Sequence, residues 1–196
     1  FMKKFSVVVF SLLLGFCLQT VLAQEKTTLP KGLRGEMIVN ASGVEGKILD
    51  LVKAVPEDKF TWRPEEGVRS VSEVYLHIAG ANYLFPSFAG VKPPEGVDLR
   101  NLEKSTTDKA AITEAVKKSF DWFRESIMKL SDGDLDKSTK MFGMETTVRN
   151  VYLVALTHMH EHLGQSIAYS RTVHVTPPWT AESEAKAKAQ KTKGGM

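Results

Sequence analysis

The chain has 196 residues, of which 42% are hydrophobic and 25% charged, with a formal net charge of +3. That length suffices for one domain with its own core, and the near balance of charge gives no reason to expect a nucleic-acid partner. A single cysteine, Cys17, excludes an intrachain disulfide framework.

The N-terminus has the pattern of an export signal. Met2 is read as the start, with Phe1 ahead of it an artefact. Lys3 and Lys4 form a basic region, an apolar run follows from Phe5 to about Cys17, and Val21-Leu22-Ala23 offers small residues for cleavage before Gln24. Residues 1–23 are therefore expected to be a signal peptide, and the protein to be exported, periplasmic or secreted. The run is too short and wrongly flanked for a membrane span; an uncleaved anchor is the competing reading. Lipidation at Cys17 is opposed by the bulky Phe16. Cleavage removes Lys3, Lys4 and Cys17, which leaves 24 of the 26 basic residues against 23 acidic ones, a net charge of +1. The cleaved chain has no thiol nucleophile and no thiolate ligand, and its stability must come from a core.

Four amphipathic helices follow. In the first, roughly Leu33 to Val55, Met37, Ala41, Val44, Ile48, Leu51 and Val52 recur at helical spacing until Pro56. The second starts at Ser70, where Ser70-Val-Ser-Glu73 matches a capping box; Val71, Val74, Ile78 and Ala81 carry its apolar face, and Pro86 is expected to stop it. The third, from about Thr107 to Leu130, has Ile112, Ala115, Val116, Phe120, Phe123, Ile127 and Leu130 as its stripe. The fourth runs from Thr146 or Thr147 to about Thr172, with Val148, Val151, Val154, Ala155 and Tyr169 apolar, before Pro177-Pro178. Strand patterns and internal repeats are absent. The expected fold is an all-α, four-helix bundle over residues 24–180.

About twenty residues, including Pro93-Pro94, separate the second and third helices, which is long for a bundle turn. Extended chain covers about 3.3 Å per residue, so this connection can cross the whole bundle, and helices two and three need not be antiparallel neighbours. It can also lie over one end and shape a pocket. Residues 181–196 carry Lys186, Lys188, Lys191 and Lys193 and read as a solvated, frayed, flexible tail.

The chemistry lies in the histidines. His158 and His162 are four residues apart, a rotation of about 400° along a helix, so they share one face. His158 continues the row of Val151 and Ala155 into the bundle. Two such imidazoles need partners for four ring nitrogens, and a metal supplies them directly. A third imidazole from a facing helix, His77, would make three ligands and leave one position open, as in catalytic rather than structural sites. Alone, His77 reads as a hydrogen-bonded structural residue; the pair on the fourth helix gives it weight. His160 lies about 200° round the helix and should face away, and His174 is a loop residue. The string His158-Met-His160-Glu161-His162 fails the zincin spacing, because Gly164 stands four after His160. Glu73, four before His77, is a candidate to orient that imidazole or act as a general base, against its role in the capping box. Gln165, one turn beyond His162, is a candidate to touch bound water, or a surface amide. Tyr75, Tyr83 and Trp62 are pocket lining or core. Imidazole ligands suit zinc, nickel, copper and iron alike.

Trp62-Arg-Pro64 followed by Arg69-Ser-Val-Ser-Glu-Val-Tyr-Leu-His77-Ile resembles the first signature of the DinB (DinB/YfiT-like) family. His158-Met-His-Glu-His162-Leu-Gly-Gln165, with Tyr169-Ser-Arg171 and Pro177-Pro178-Trp179 after it, is similar to the second. The resemblance implies a four-helix bundle with a long connection between helices 2 and 3, often a homodimer. It also implies a divalent metal, zinc or nickel in many members, held by His77, His158 and His162. Some family members are thiol-dependent S-transferases, others resemble metal-dependent isomerases or hydrolases, and many have no assigned activity. The thiol cofactors of the transferases are cytosolic, whereas this chain has the pattern of an exported one. Two function classes follow: a metal-dependent enzyme of transferase or hydrolase type acting on a small molecule, or a non-catalytic module binding a metal or small ligand. In a third reading the histidines are structural and bind no metal.

Overall fold

A computed structural model describes residues 28–194; the expected signal peptide lies outside the described residues. The helices are α1 (Leu33–Ala54), α2 (Val71–Phe88), α3 (Lys109–Met128), α4 (Val148–Thr172) and α5 (Pro178–Gly194), and a hairpin of β1 (Ser138–Met141) and β2 (Met144–Thr147) precedes α4. The apolar stripes of the first four meet in one core. Met37, Ile48 and Leu51 of α1, Leu76 and Ile78 of α2, Ile112, Phe120 and Phe123 of α3, and Val151, Tyr152 and Met159 of α4 are all at most 1% exposed. No described helix is long and apolar enough to cross a membrane.

The bundle order is set by which helices touch. α1 and α2 each pack along both α3 and α4, so α1 lies diagonally opposite α2, and α3 opposite α4. Lys109 at the start of α3 donates to the carbonyls of Lys53 and Val55 at the end of α1. Arg34 at the start of α1 reaches the Leu130 carbonyl and Asp132 just beyond α3. α1 and α3 are therefore antiparallel. Tyr169 near the end of α4 donates to the Arg69 carbonyl just before α2 at 3.2 Å, and Thr139 before α4 to the Phe88 carbonyl at the end of α2. α2 and α4 are therefore antiparallel neighbours. The Tyr152 hydroxyl at the start of α4 also bonds Ser126 near the end of α3 at 3.0 Å, so α4 is antiparallel to α3 as well, and α2 and α3 run parallel. A parallel pair requires its connection to return along the bundle, which residues 89–108 do. On the way, a short 3₁₀ turn at Leu102–Lys104 packs on α2.

Three details differ from the sequence expectation. The first is the hairpin, where no strand was expected. Its two-residue turn places Phe142 at φ 52° and Gly143 at φ 83°, the pair of positive values a type I′ turn needs. Met141 pairs with Met144 across it, and Lys140 meets Glu145 at 3.1 Å. Secondly, Pro86 does not stop α2, which runs on to Phe88. Proline removes only the N–H that would reach Asn82, and the amides of Ala89 and Val91 both close back on the Pro86 carbonyl at 3.0 Å. Thirdly, the tail is helical, not frayed: α5 continues to Gly194 with residues 181–192 all exposed. Alanine, lysine and glutamate are good helix formers, Glu182 and Lys186 pair one turn apart, and Lys47 of α1 sits 5.6 Å over the Trp179 ring at the start of α5.

Candidate metal centre

Ser70 starts α2 as expected: its hydroxyl accepts from the Glu73 amide, and the Glu73 carboxylate accepts from the Ser70 amide at 2.7 Å. Burial of the Val71, Val74, Ile78 and Ala81 face against the core sets the rotation of α2, and His77 faces α4, where His158 and His162 project one turn apart. The ring centroids are 5.0 Å apart for His77 and His158, 4.6 Å for His77 and His162, and 4.4 Å for His158 and His162. One nitrogen from each of the three lies within 4.8 Å of the other two.

The hydrogen bonds say which nitrogens are free. His77 Nδ1 bonds Glu103 Oε2 at 2.9 Å, and His162 Nδ1 bonds Gln165 Oε1 at 2.8 Å. Both acceptors take the Nδ1 proton and leave an Nε2 lone pair. His77 Nε2 then stands 3.1 Å from His158 Nε2. The alternatives for His158 are to donate into that lone pair or to oppose it with its own. In either tautomer its Nδ1, buried and without a partner, is unsatisfied. A cation between the lone pairs removes their repulsion. Two nitrogens each about 2.0–2.1 Å from one tetrahedral zinc stand about 3.3 Å apart, close to the observed separation, so this donor set fits such an ion.

The surroundings favour the neutral form of His158 and of His77, the state a ligand needs. Burial pushes His158 down to about 4, helped by His162, His77 and Arg69. His77 is also lowered, by burial first and then by the Arg69 charge, against the opposing pull of Glu103. Partial burial alone would raise the Glu103 carboxyl, but hydrogen bonds from Arg69 and His77 outweigh it and hold the group below its usual range. Arg69 Nε donates to Glu103 Oε1 at 2.8 Å, so both oxygens of this carboxylate are engaged. A relay on the far side runs from Gln165 Nε2 to the Tyr169 hydroxyl at 3.1 Å and on to the Arg69 carbonyl.

Glu73 does not take the place expected beside His77. Its carboxylate is held by the Ser70 amide and by Arg63 at 3.1 Å; the Ser70 amide comes first in holding it below the ordinary carboxylate value. The orienting carboxylate is Glu103, 26 residues after His77 on the returning connection. Gln165 meets the ring of His162 itself. His160 is exposed and turned back onto the Leu156 carbonyl at 2.8 Å. His174 closes α4 from the left-handed region at φ 63°. Tyr75 is core, Trp62 packs edge-on against Tyr169 at 5.3 Å, and Tyr83 borders a separate pocket beside α3.

The model of the DinB superfamily matches residues 42–166, most of the bundle and all three histidines. The chain belongs to the DinB superfamily. Solved structures similar to this DinB-like chain include a DinB-like protein from Bacillus cereus, 18% identical with a TM-score of 0.65, covering 74% of this chain and 95% of that one. A DinB-like protein from Bacillus subtilis is 20% identical with a TM-score of 0.58, covering 72% and 93%. YfiT from Bacillus subtilis, described as a probable metal-dependent hydrolase with an unusual four-helix bundle topology, is 15% identical with a TM-score of 0.59, covering 77% and 93%. No curated protein matches the chain. At these identities the likeness establishes the fold of this DinB superfamily member.

Proposed function

We propose that this DinB-superfamily protein is a metal-dependent enzyme of hydrolase type, with His77, His158 and His162 holding a divalent cation, zinc or nickel. The observation that carries the reading is the facing of His77 Nε2 and His158 Nε2 at 3.1 Å, with the His77 proton drawn to the opposite nitrogen by Glu103. When bound, a divalent cation supplies Lewis acidity, polarising an oxygen of the substrate and lowering the pKa of a bound water or thiol. The protein's own groups orient and hold protons. Glu103 and Gln165 fix the tautomers of His77 and His162, Arg69 anchors Glu103, and Leu76, Leu102 and Phe85 exclude water from one side. The carboxylates of Glu73 and Glu103 are already engaged, the first by Ser70 and Arg63 and the second by Arg69 and His77, so the activation is assigned to the cation.

Hydrolysis is preferred to thiol transfer because the first 23 residues have the pattern of an export signal, and an exported enzyme meets water rather than a cytosolic thiol cofactor. In this reading the protein is periplasmic or secreted, its substrate is a small molecule, and neither nucleic acid nor a membrane span is involved. A homodimer is the family expectation. Elemental analysis after chelator-free purification tests the site. About one metal per chain in the wild type, lost in His77→Ala and in His158→Ala, supports it, and a panel of esters, amides and thiol–electrophile pairs then separates hydrolase from transferase. A chain that takes up no zinc or nickel refutes the enzyme reading.

A further inference from the structure

The imidazoles of His77 and His158 form one end of a pocket of about 400 Å³. At about 30 Å³ for each water-sized group, that is space for on the order of a dozen non-hydrogen atoms. Leu84 and Phe85 of α2, Leu99 and Leu102 of the returning connection, and Phe142 of the hairpin supply its apolar walls. Among its lining side chains only His77, His158 and Glu103 are polar, and neither lysine nor arginine is among them. Nothing here would match an anionic tail, and the Glu103 carboxylate is already engaged by Arg69 and His77.

Two residues break local rules in favour of this space. Gly80 stands in the interior of α2, where glycine is the poorest helix former after proline. Crowding does not demand it: a Cβ there would find only Leu102 Cδ2 within 4 Å, at an ordinary 3.8 Å. A side chain at position 80 would instead grow into the pocket. Phe142 sits in the left-handed region at φ 52°, which bulky residues avoid, at a turn position where asparagine or aspartate is favoured. The residue is 62% exposed, and its ring meets Phe85 at 6.2 Å and Phe88 at 4.8 Å. Phe85 in turn meets His158 at 5.4 Å, so an aromatic row runs from the site to the hairpin tip. A strained, exposed aromatic beside a cavity is the kind of departure that marks a ligand contact.

We propose that this pocket binds the uncharged apolar body, aromatic or branched alkyl, of a small substrate whose single polar group is thereby set at the imidazole end, with Phe142 as a specificity-determining wall. The proposal rests on the function above only in taking the imidazole end as the reacting end.

The test is methyl-resolved NMR of the wild type, metal-free and zinc-loaded, titrated with indole and, as a polar control, glycerol. Indole is expected to shift the methyl groups of Leu84, Leu99 and Leu102 saturably in both forms, and glycerol to leave them unmoved. Gly80→Leu should abolish the indole response by filling the pocket, and Phe142→Ala should weaken it about tenfold through lost apolar contact. Leu99→Glu, in the half-exposed connection, should abolish it independently and stands in if Gly80→Leu does not fold. No saturable shift at these methyl groups, or wild-type indole binding in whichever of Gly80→Leu and Leu99→Glu folds, overturns the proposal. Zinc uptake measured on the same samples keeps the two readings apart: indole binding without zinc refutes the metal reading alone, and zinc binding without indole refutes the pocket alone.

Discussion

Replacing Glu103 by alanine removes the acceptor of the His77 Nδ1 proton and the partner of Arg69 in one step. A hydrogen bond to a charged group contributes about 1.5–3 kcal/mol. The Glu103 side chain is 30% exposed, so water replaces part of it, and the lower half of that range applies. About 1.5–2 kcal/mol corresponds to a 10- to 30-fold loss, within the roughly 10- to 100-fold usual for partners that orient metal-binding imidazoles. Competition of the protein against a chromophoric chelator for zinc reads the loss directly. Glu73→Ala is the matched control. It opens the capping box and frees Arg63, so it should lower thermal stability by about 1 kcal/mol while leaving zinc affinity within about twofold. Unchanged affinity in Glu103→Ala, or an equal loss in Glu73→Ala, would refute the assignment of Glu103 as the orienting carboxylate.

Two further outcomes concern stability. Burial first of all holds His158 near 4, and His77 below its ordinary value, so between about 6.5 and 4 the unfolded chain binds more protons than the folded one. The stability of the metal-free protein should therefore be full above about pH 6.5 and fall as pH drops towards 4. Melting curves at pH 7.5, 5.5 and 4.5 check this, and the same slope in His158→Phe would count against it. Two glycines of α1 should respond oppositely to alanine. A Cβ at Gly43 has nothing within 4 Å, so Gly43→Ala should stabilise by up to about 1 kcal/mol, whereas at Gly35 it would collide with the Pro30 carbonyl oxygen and Gly35→Ala should cost about 1–3 kcal/mol. Thermal denaturation of the two variants side by side decides between this and a uniform gain.

Sequence periodicity sufficed for the helices because each stripe repeats over several turns, about four from Met37 to Val52. The Ser70 cap was readable because both partners lie within four residues. His158 and His162 share a face by spacing alone. The orienting carboxylate was not readable, since Glu103 reaches His77 only after the connection has folded back along α2, and no local pattern encodes that return. Glu73, at the right spacing on the same helix, was drawn instead into the cap. The hairpin escaped because four-residue strands offer too little alternation; its one signal was glycine at the second turn position, flanked by Met141 and Met144. The charge of the tail points to a solvated end, whereas its alanine, lysine and glutamate content favours the helix that forms.

The diagonal arrangement of the bundle bears on when the three histidines come together. His77 and His158 are 81 residues apart, on helices that are neighbours only once α2 and α4 have packed together, and Glu103 joins them only with the connection returned along α2. A nascent or extended chain thus presents, at most, the weak pair His158 and His162. Under the proposed metal reading, capture would be coupled to completion of the bundle, and a chain that crossed a membrane unfolded would travel empty and be loaded from the metal pool on the far side. Any cation held by the folded protein would then reflect availability where folding finishes, not where synthesis takes place.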